Sequence, residues 1–173
     1  MRRAGTGRGR KRRQVLLGAG ALLLCLAAAG GCRSIRAGRT GPEVCFPLQG
    51  AQWRLSAPYG WRTDPITGQR AFHQGIDLAC PQGTPVAAAM EGVVTTARQS
   101  TSYGNYLCLA HPGGRETRYA HLQYLFVRPG QVVQAGQLLG TAGNTGRSTG
   151  AHLHFELLVQ GQHRAPGTLR GLP

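Results

Sequence analysis

Acidic side chains are scarce in this chain: six Asp and Glu stand against 20 Lys and Arg, a formal charge of +14 over 173 residues. That excess suggests a polyanionic partner only until it is located. Ten of the basic residues lie between Arg2 and Arg39, and all six acidic residues lie from Glu43 onward. Beyond residue 40 the balance is ten basic against six acidic groups, only +4. A nucleic-acid groove needs its charge on the folded part and aromatic side chains interleaved with its basic ones. Neither is present, so nucleic acid is excluded as a partner. After residue 40 no segment carries an apolar stripe of helical period over three turns, which excludes a long coiled coil. The chain has no Cys-x-x-Cys, which argues against a zinc ribbon or a thioredoxin-type redox site. Its 27 glycines follow no three-residue period, which excludes collagen. The length leaves room for one domain and little more.

The N-terminal region is organised for export. Arg2 to Arg13 form a basic leader, and Val15 to Gly31 then run for 17 residues without a charge. Basic, then apolar, then small residues read as an export signal over residues 1–32. The run is at the short end for a membrane-spanning helix, and an uncleaved signal anchor is the alternative. Both readings carry the rest of the chain across the membrane. Ala29-Gly30-Gly31 before Cys32 is similar to a bacterial lipoprotein box, although Ala29 stands where Leu is usual. Cys32 is thus a candidate lipidation site, with the membrane as a partner through lipid or anchor. Arg12-Arg13 faintly resembles a twin-arginine signal. Residues 33–43 read as a short basic tether, 44–162 as the folded domain and 163–173 as a C-terminal tail.

The domain reads as mainly β, with curved antiparallel sheets or a small sandwich. Short β-like runs alternate with Gly, Pro and Asn. Strands are predicted at Trp53–Ala57, Gly92–Ala97, Tyr106–Ala110, Thr117–Ala120, Gln131–Val133, Gln137–Leu139 and His152–Val159. Ala87–Met90 reads as at most a helical turn, because Pro85 and Gly92 bound it. Cys80 and Cys108 flank predicted core strands, and in an oxidising compartment they are the preferred disulfide pair. Buried thiols are the alternative.

The histidines carry the chemistry. In His73-Gln74-Gly75-Ile76-Asp77 an extended backbone puts positions 73 and 77 on one face. One imidazole and one carboxylate there suit zinc. His152-Leu153-His154-Phe155-Glu156 alternates strictly. It sets His152, His154 and Glu156 on one face and Leu153, Phe155 and Leu157 on the other. A solvated strand face is the plain alternative. Spacing leaves open which histidine of this pair binds a metal and which serves the reacting water. His121 ends a predicted strand and says little alone. Together these groups make a workable hydrolase: three ligands leave a zinc position open for water, and the remaining imidazoles move protons.

Those motifs and their glycine-rich surroundings resemble the M23 family of zinc metallopeptidases, the lysostaphin-like or LytM-like peptidoglycan endopeptidases. The resemblance runs from about Pro58 to Val159, through PYGWRTDPITGQRAFHQGIDLACPQGTPV, YGNYLCLAH, TRYAHL and VRPGQVVQAGQLLGTAGNTGRSTGAHLHFEL. It implies a β fold of the duplicated hybrid motif type, with a substrate groove. It implies one Zn²⁺ held by His73, Asp77 and His154, with His152 catalytic and His121 its partner. The implied substrate is peptidoglycan peptide, at a bacterial cell envelope, on the outer face of the membrane or secreted. Other cell-wall enzymes are further potential partners. Some relatives have lost ligands and instead activate amidases; this chain keeps all five positions. Glu156 is expected to hydrogen-bond behind the ligands, and His111 and His163 to be ordinary surface histidines. The stretch after Gln160 lacks the family's usual Asn/Asp-Pro close, and neither a coiled coil nor a wall-binding repeat precedes the domain.

Overall fold

The computed structural model describes residues 44–50 and 52–173. The leader, Cys32 and the whole of the tether lie outside them. Twelve strands follow in order: β1 (Arg54–Ala57), β2 (Gly60–Thr63), β3 (Arg70–His73), β4 (Ile76–Ala79), β5 (Pro85–Ala87), β6 (Gly92–Ser100), β7 (Gly104–His111), β8 (Arg115–Leu125), β9 (Val132–Val133), β10 (Leu138–Ala142), β11 (His152–Val159) and β12 (Gln162–Arg164). A 3-10 turn at Pro166–Thr168 closes the chain. Among the described residues no helix is long and apolar enough to cross a membrane. Ala87 ends β5, and Ala89 to Glu91 then form a bend, not a helical turn. The backbone is held there by other segments, with the Ala88 N–H donating to Gln137 O at 2.9 Å and the Cys45 N–H to Ala89 O at 2.8 Å.

Ten strands form one sheet, whose main path runs β1-β4-β11-β8-β7-β6-β9, and β2 and β3 form a separate hairpin. The recorded pairings are antiparallel. Alternation explains the central strands. On β11, Leu153 and Phe155 enter the main core beside Ile76, Leu78, Leu107, Leu109, Tyr119 and Leu122. Each fully buried Leu or Phe contributes about 1.5–3 kcal/mol. Both faces of β7 are covered: Leu107 and Leu109 lie in the main core, while Tyr106 and Cys108 meet Ala120 on the other side.

That topology overturns the expected disulfide. Cys80 and Cys108 are free, buried thiols. Cys80 follows β4 and Cys108 lies on β7, with β11 and β8 between them. Three strand spacings are about 14 Å, whereas a bridge needs Cα atoms within about 7 Å. The boundary at residue 162 also moves, because it falls inside β12. Leu169 then packs with Met90 and Leu157, so part of the expected tail belongs to the folded body.

His111 is not a surface residue. It is buried, with Nδ1 bonded to Glu91 O and Nε2 to Thr117 Oγ1, both at 2.7 Å. Burial is the main cause that holds its pKa below the ordinary value. As pH falls below about 6.5 the unfolded chain takes up a proton that the folded chain resists, so stability present above that pH is lost. The stability lost on His111→Ala, measured by urea unfolding, is therefore expected to be larger at pH 7.5 than at pH 5. An equal loss at both would contradict this.

Candidate metal centre and active site

Three strands deliver the metal-ligating groups. In the register, His154 on β11 lies directly opposite Asp77 on β4, so the two side chains share a face. His73 does not sit on one continuous strand with Asp77, as the extended reading assumed. It ends β3, and the chain turns at Gln74-Gly75 into β4. Gly75 makes that turn feasible: a Cβ there would lie 2.4 Å from Phe155 O and 3.0 Å from His154 Cε1. His73 Nε2 is 3.1 Å from both Asp77 Oδ1 and His154 Nδ1, and His154 Nδ1 is 2.8 Å from Asp77 Oδ1. His73, Asp77 and His154 thus form a cluster that can coordinate a metal ion. Of the His152–His154 pair, it is His154 that converges.

The surroundings favour a cation at that point. His73 Nδ1–H donates to Pro58 O at 2.8 Å, and His154 Nε2–H donates to Glu156 Oε1 at 3.0 Å. Each bond on the far side leaves the inner nitrogen with its lone pair. Two lone pairs and a carboxylate oxygen then meet at one buried place. Ligands roughly 2.0–2.2 Å from a tetrahedral zinc lie about 3.3–3.6 Å apart, so the groups need spread only by some tenths of an ångström to accept it. Burial opposes charge on His154, but Asp77 and Glu156 outweigh it and hold its pKa at about 9, so without a metal Nδ1 carries a proton toward Asp77, and a bound cation takes that proton's place. Burial likewise opposes ionisation of Asp77, yet His154 and His73 hold its carboxyl far below the usual range. Arg62 approaches the other Asp77 oxygen at 3.3 Å.

His121 and His152 stand beside this cluster. His152 Nδ1–H donates to Gly150 O at 2.8 Å, and its Nε2 lies 3.6 Å from Asp77 Oδ1. His121 Nδ1–H donates to Thr145 O at 2.8 Å. One loop, residues 143–151, therefore orients both imidazoles, whose centroids are 4.7 Å apart. His121 does not end its strand but sits inside β8, at a bulge. Between Tyr119 and Leu122, β8 spends three steps where β7 spends two, Leu107 to Asn105. The extra residue lets Tyr119 and Leu122 both reach the core and leaves His121 on the cleft side, with φ of 61°. A left-handed non-glycine residue costs of order 1–3 kcal/mol and is typical of functional sites. Burial is the main cause that pushes the His121 pKa down to about 4, with His152 and His154 adding to it. The cleft in front has a volume of about 280 Å³. Arg147 and Asp64, both lining it, form an ion pair of 2.7 Å.

Glu156 is where the alternation put it, on the histidine face, but it is fully buried. Burial opposes its charge, and His154 with other donors nonetheless holds its pKa at about 2. His163, expected at the surface, donates Nε2–H to Glu156 Oε2 at 3.0 Å. It lies on β12, which pairs with β11. Tyr103 and Arg62 are further site residues that spacing did not single out.

Residues 71–166 match Peptidase family M23, more than half of the chain, which belongs to that family. Peptidoglycan DD-endopeptidase ShyA of Vibrio cholerae is 44% identical over 118 residues, covering 68% of this chain and 27% of that protein. A zinc containing peptidase from Vibrio cholerae superposes with a TM-score of 0.68 at 36% identity, over 77% of this chain and 41% of the other. The catalytic domain of the antimicrobial peptidase lysostaphin from Staphylococcus simulans superposes with a TM-score of 0.61 at 32% identity, over 67% of this chain and 90% of that one. The chain spans about a quarter of the length of the curated relatives it matches.

Proposed function

We propose that this protein is a zinc-dependent endopeptidase that cleaves peptide bonds in the stem peptides or cross-bridges of peptidoglycan. One observation carries the reading: two imidazoles tied back through Nδ1 stand beside three converging metal-ligating atoms in an open cleft. His73, Asp77 and His154 would hold the zinc ion, which would supply Lewis-acid chemistry toward the scissile carbonyl and the attacking water. The chain's own groups do the rest. With Nδ1–H engaged, His121 and His152 each keep Nε2 as a proton acceptor. One takes the proton from water as it attacks, and that same proton then passes, directly or through the neighbouring imidazole, to the leaving amine. The low pKa of His121 keeps it neutral and able to accept at ordinary pH. Retention of all five groups argues against a silent amidase-activating domain.

Peptidoglycan lies outside the cytoplasm, and the leader over residues 1–32 fits that address. Lipid on Cys32 would hold the enzyme at the outer face of the membrane, and the intact mass of the exported protein reads this directly. The functional test is digestion of purified peptidoglycan followed by mass spectrometry of the muropeptides. New peptide termini that appear only with active protein are expected. Unchanged muropeptides with zinc-loaded protein would overturn the reading.

A further inference from the structure

We propose that Tyr103 is a positioning residue for this site, fixing the metal-ligating His154 from behind through Glu156; this rests on the zinc-peptidase reading above. Tyr103 lies in the turn between β6 and β7, 51 residues from His154 in sequence. Its hydroxyl donates to Glu156 Oε1 at 2.8 Å, the oxygen that also accepts His154 Nε2–H at 3.0 Å. The other oxygen accepts His163 Nε2–H at 3.0 Å and Arg118 Nη1 at 3.4 Å. A carboxylate has about four acceptor positions, and here four donors fill them. Glu156, fully buried, therefore has no rotational freedom, and its bond to His154 holds that imidazole as the Nε2–H tautomer. Nδ1 is thereby committed to the metal side. The phenol gives the shortest of the four bonds, so its loss frees the oxygen that faces His154.

The backbone of Tyr103 is tied to the other half of the site. Its carbonyl accepts the His121 N–H at 2.8 Å, at the left-handed residue of the β8 bulge. The turn is itself clamped by the loop that orients His121 and His152. Arg147 N–H donates to Ser102 O and Asn105 N–H to Thr145 Oγ1, both at 2.9 Å. Gly104 has φ of 63°, and a Cβ there would lie 2.3 Å from Thr145 Oγ1. One turn thus sets the ligand side through a side chain and the acid–base side through a carbonyl. Groups behind metal-ligating histidines typically change metal affinity about 10–100-fold.

The test uses Tyr103→Phe, Glu156→Gln and the double variant of the full chain, with zinc affinity measured by chelator competition. Tyr103→Phe is expected to weaken zinc binding about tenfold and Glu156→Gln about a hundredfold. The double variant is expected to be no weaker than Glu156→Gln, because the tyrosine acts through the carboxylate. The His154 Nε2–H resonance, followed by NMR with and without zinc, is expected to move in Tyr103→Phe. Should Glu156→Gln not fold, affinity and resonance in Tyr103→Phe decide alone. Unchanged affinity with an unmoved resonance would overturn the proposal, as would losses that simply add. A rise in KM with zinc affinity intact would make Tyr103 a substrate contact instead. A wild-type protein that takes up no zinc, yet shows the resonance and its shift, would defeat the zinc reading and leave the Tyr103–Glu156–His154 coupling standing.

Discussion

Replacing His152 with Ala is expected to leave zinc bound and to remove about 10²–10⁴-fold of the hydrolytic rate, the usual contribution of a positioned acid–base group. The same holds for His121→Ala. Neither imidazole belongs to the converging cluster; His152 Nε2 stands 3.6 Å from Asp77 Oδ1, outside the 2.8–3.1 Å contacts among the three ligating atoms. Both are held through Nδ1 by carbonyls of one loop. The two losses are therefore expected to be non-additive, since the groups serve one proton-transfer sequence. Bound zinc and rate must be read on the same sample of each variant. A His152→Ala protein that loses zinc would place that residue among the ligands and contradict the assignment.

Removing a ligating group is expected to act differently, lowering metal content and rate together. Asp77→Ala is the most informative case, because Oδ1 touches both ligating histidines and Oδ2 approaches Arg62. An apparent zinc-binding free energy of order 10 kcal/mol, spread over three ligands, gives about 3 kcal/mol for one. That corresponds to a loss of affinity of roughly a hundredfold or more. Excess zinc is expected to restore part of the binding but little of the activity, because the vacated side of the ion is no longer fixed. Zinc affinity within threefold of the wild type would exclude Asp77 as a ligand.

Much of this site is legible in the sequence because period-two alternation writes a β face directly. His152, Leu153, His154, Phe155 and Glu156 declare which side is core, and the structure buries Leu153 and Phe155 accordingly. The scarcity of acidic residues is also informative: Asp64, Asp77, Glu116 and Glu156, four of the six, pair in or just behind the site. The position of His121 is less legible, since it depends on a bulge that only the partner strand reveals. β2, β3 and β12 are short, and the aromatics of the first two, Trp61 and Phe72, are exposed, so no buried apolar alternation marks them. In the sequence His163 therefore reads as a tail residue, although it bonds to Glu156. The Cys80–Cys108 pairing failed for a topological reason, because flanking core strands does not mean flanking neighbouring ones. Tyr103 was invisible because its partner Glu156 is 53 residues away.

One zinc ion is expected to be shared by His73, Asp77 and His154, with His121 and His152 left free for protons. Anomalous diffraction at the zinc edge from crystals of the zinc-loaded protein tests it most directly. A single peak is expected about 2.0–2.2 Å from His73 Nε2, Asp77 Oδ1 and His154 Nδ1, with neither His121 nor His152 in contact. A peak bound by His152 in place of His154, or no peak between these three side chains at full zinc loading, would contradict it.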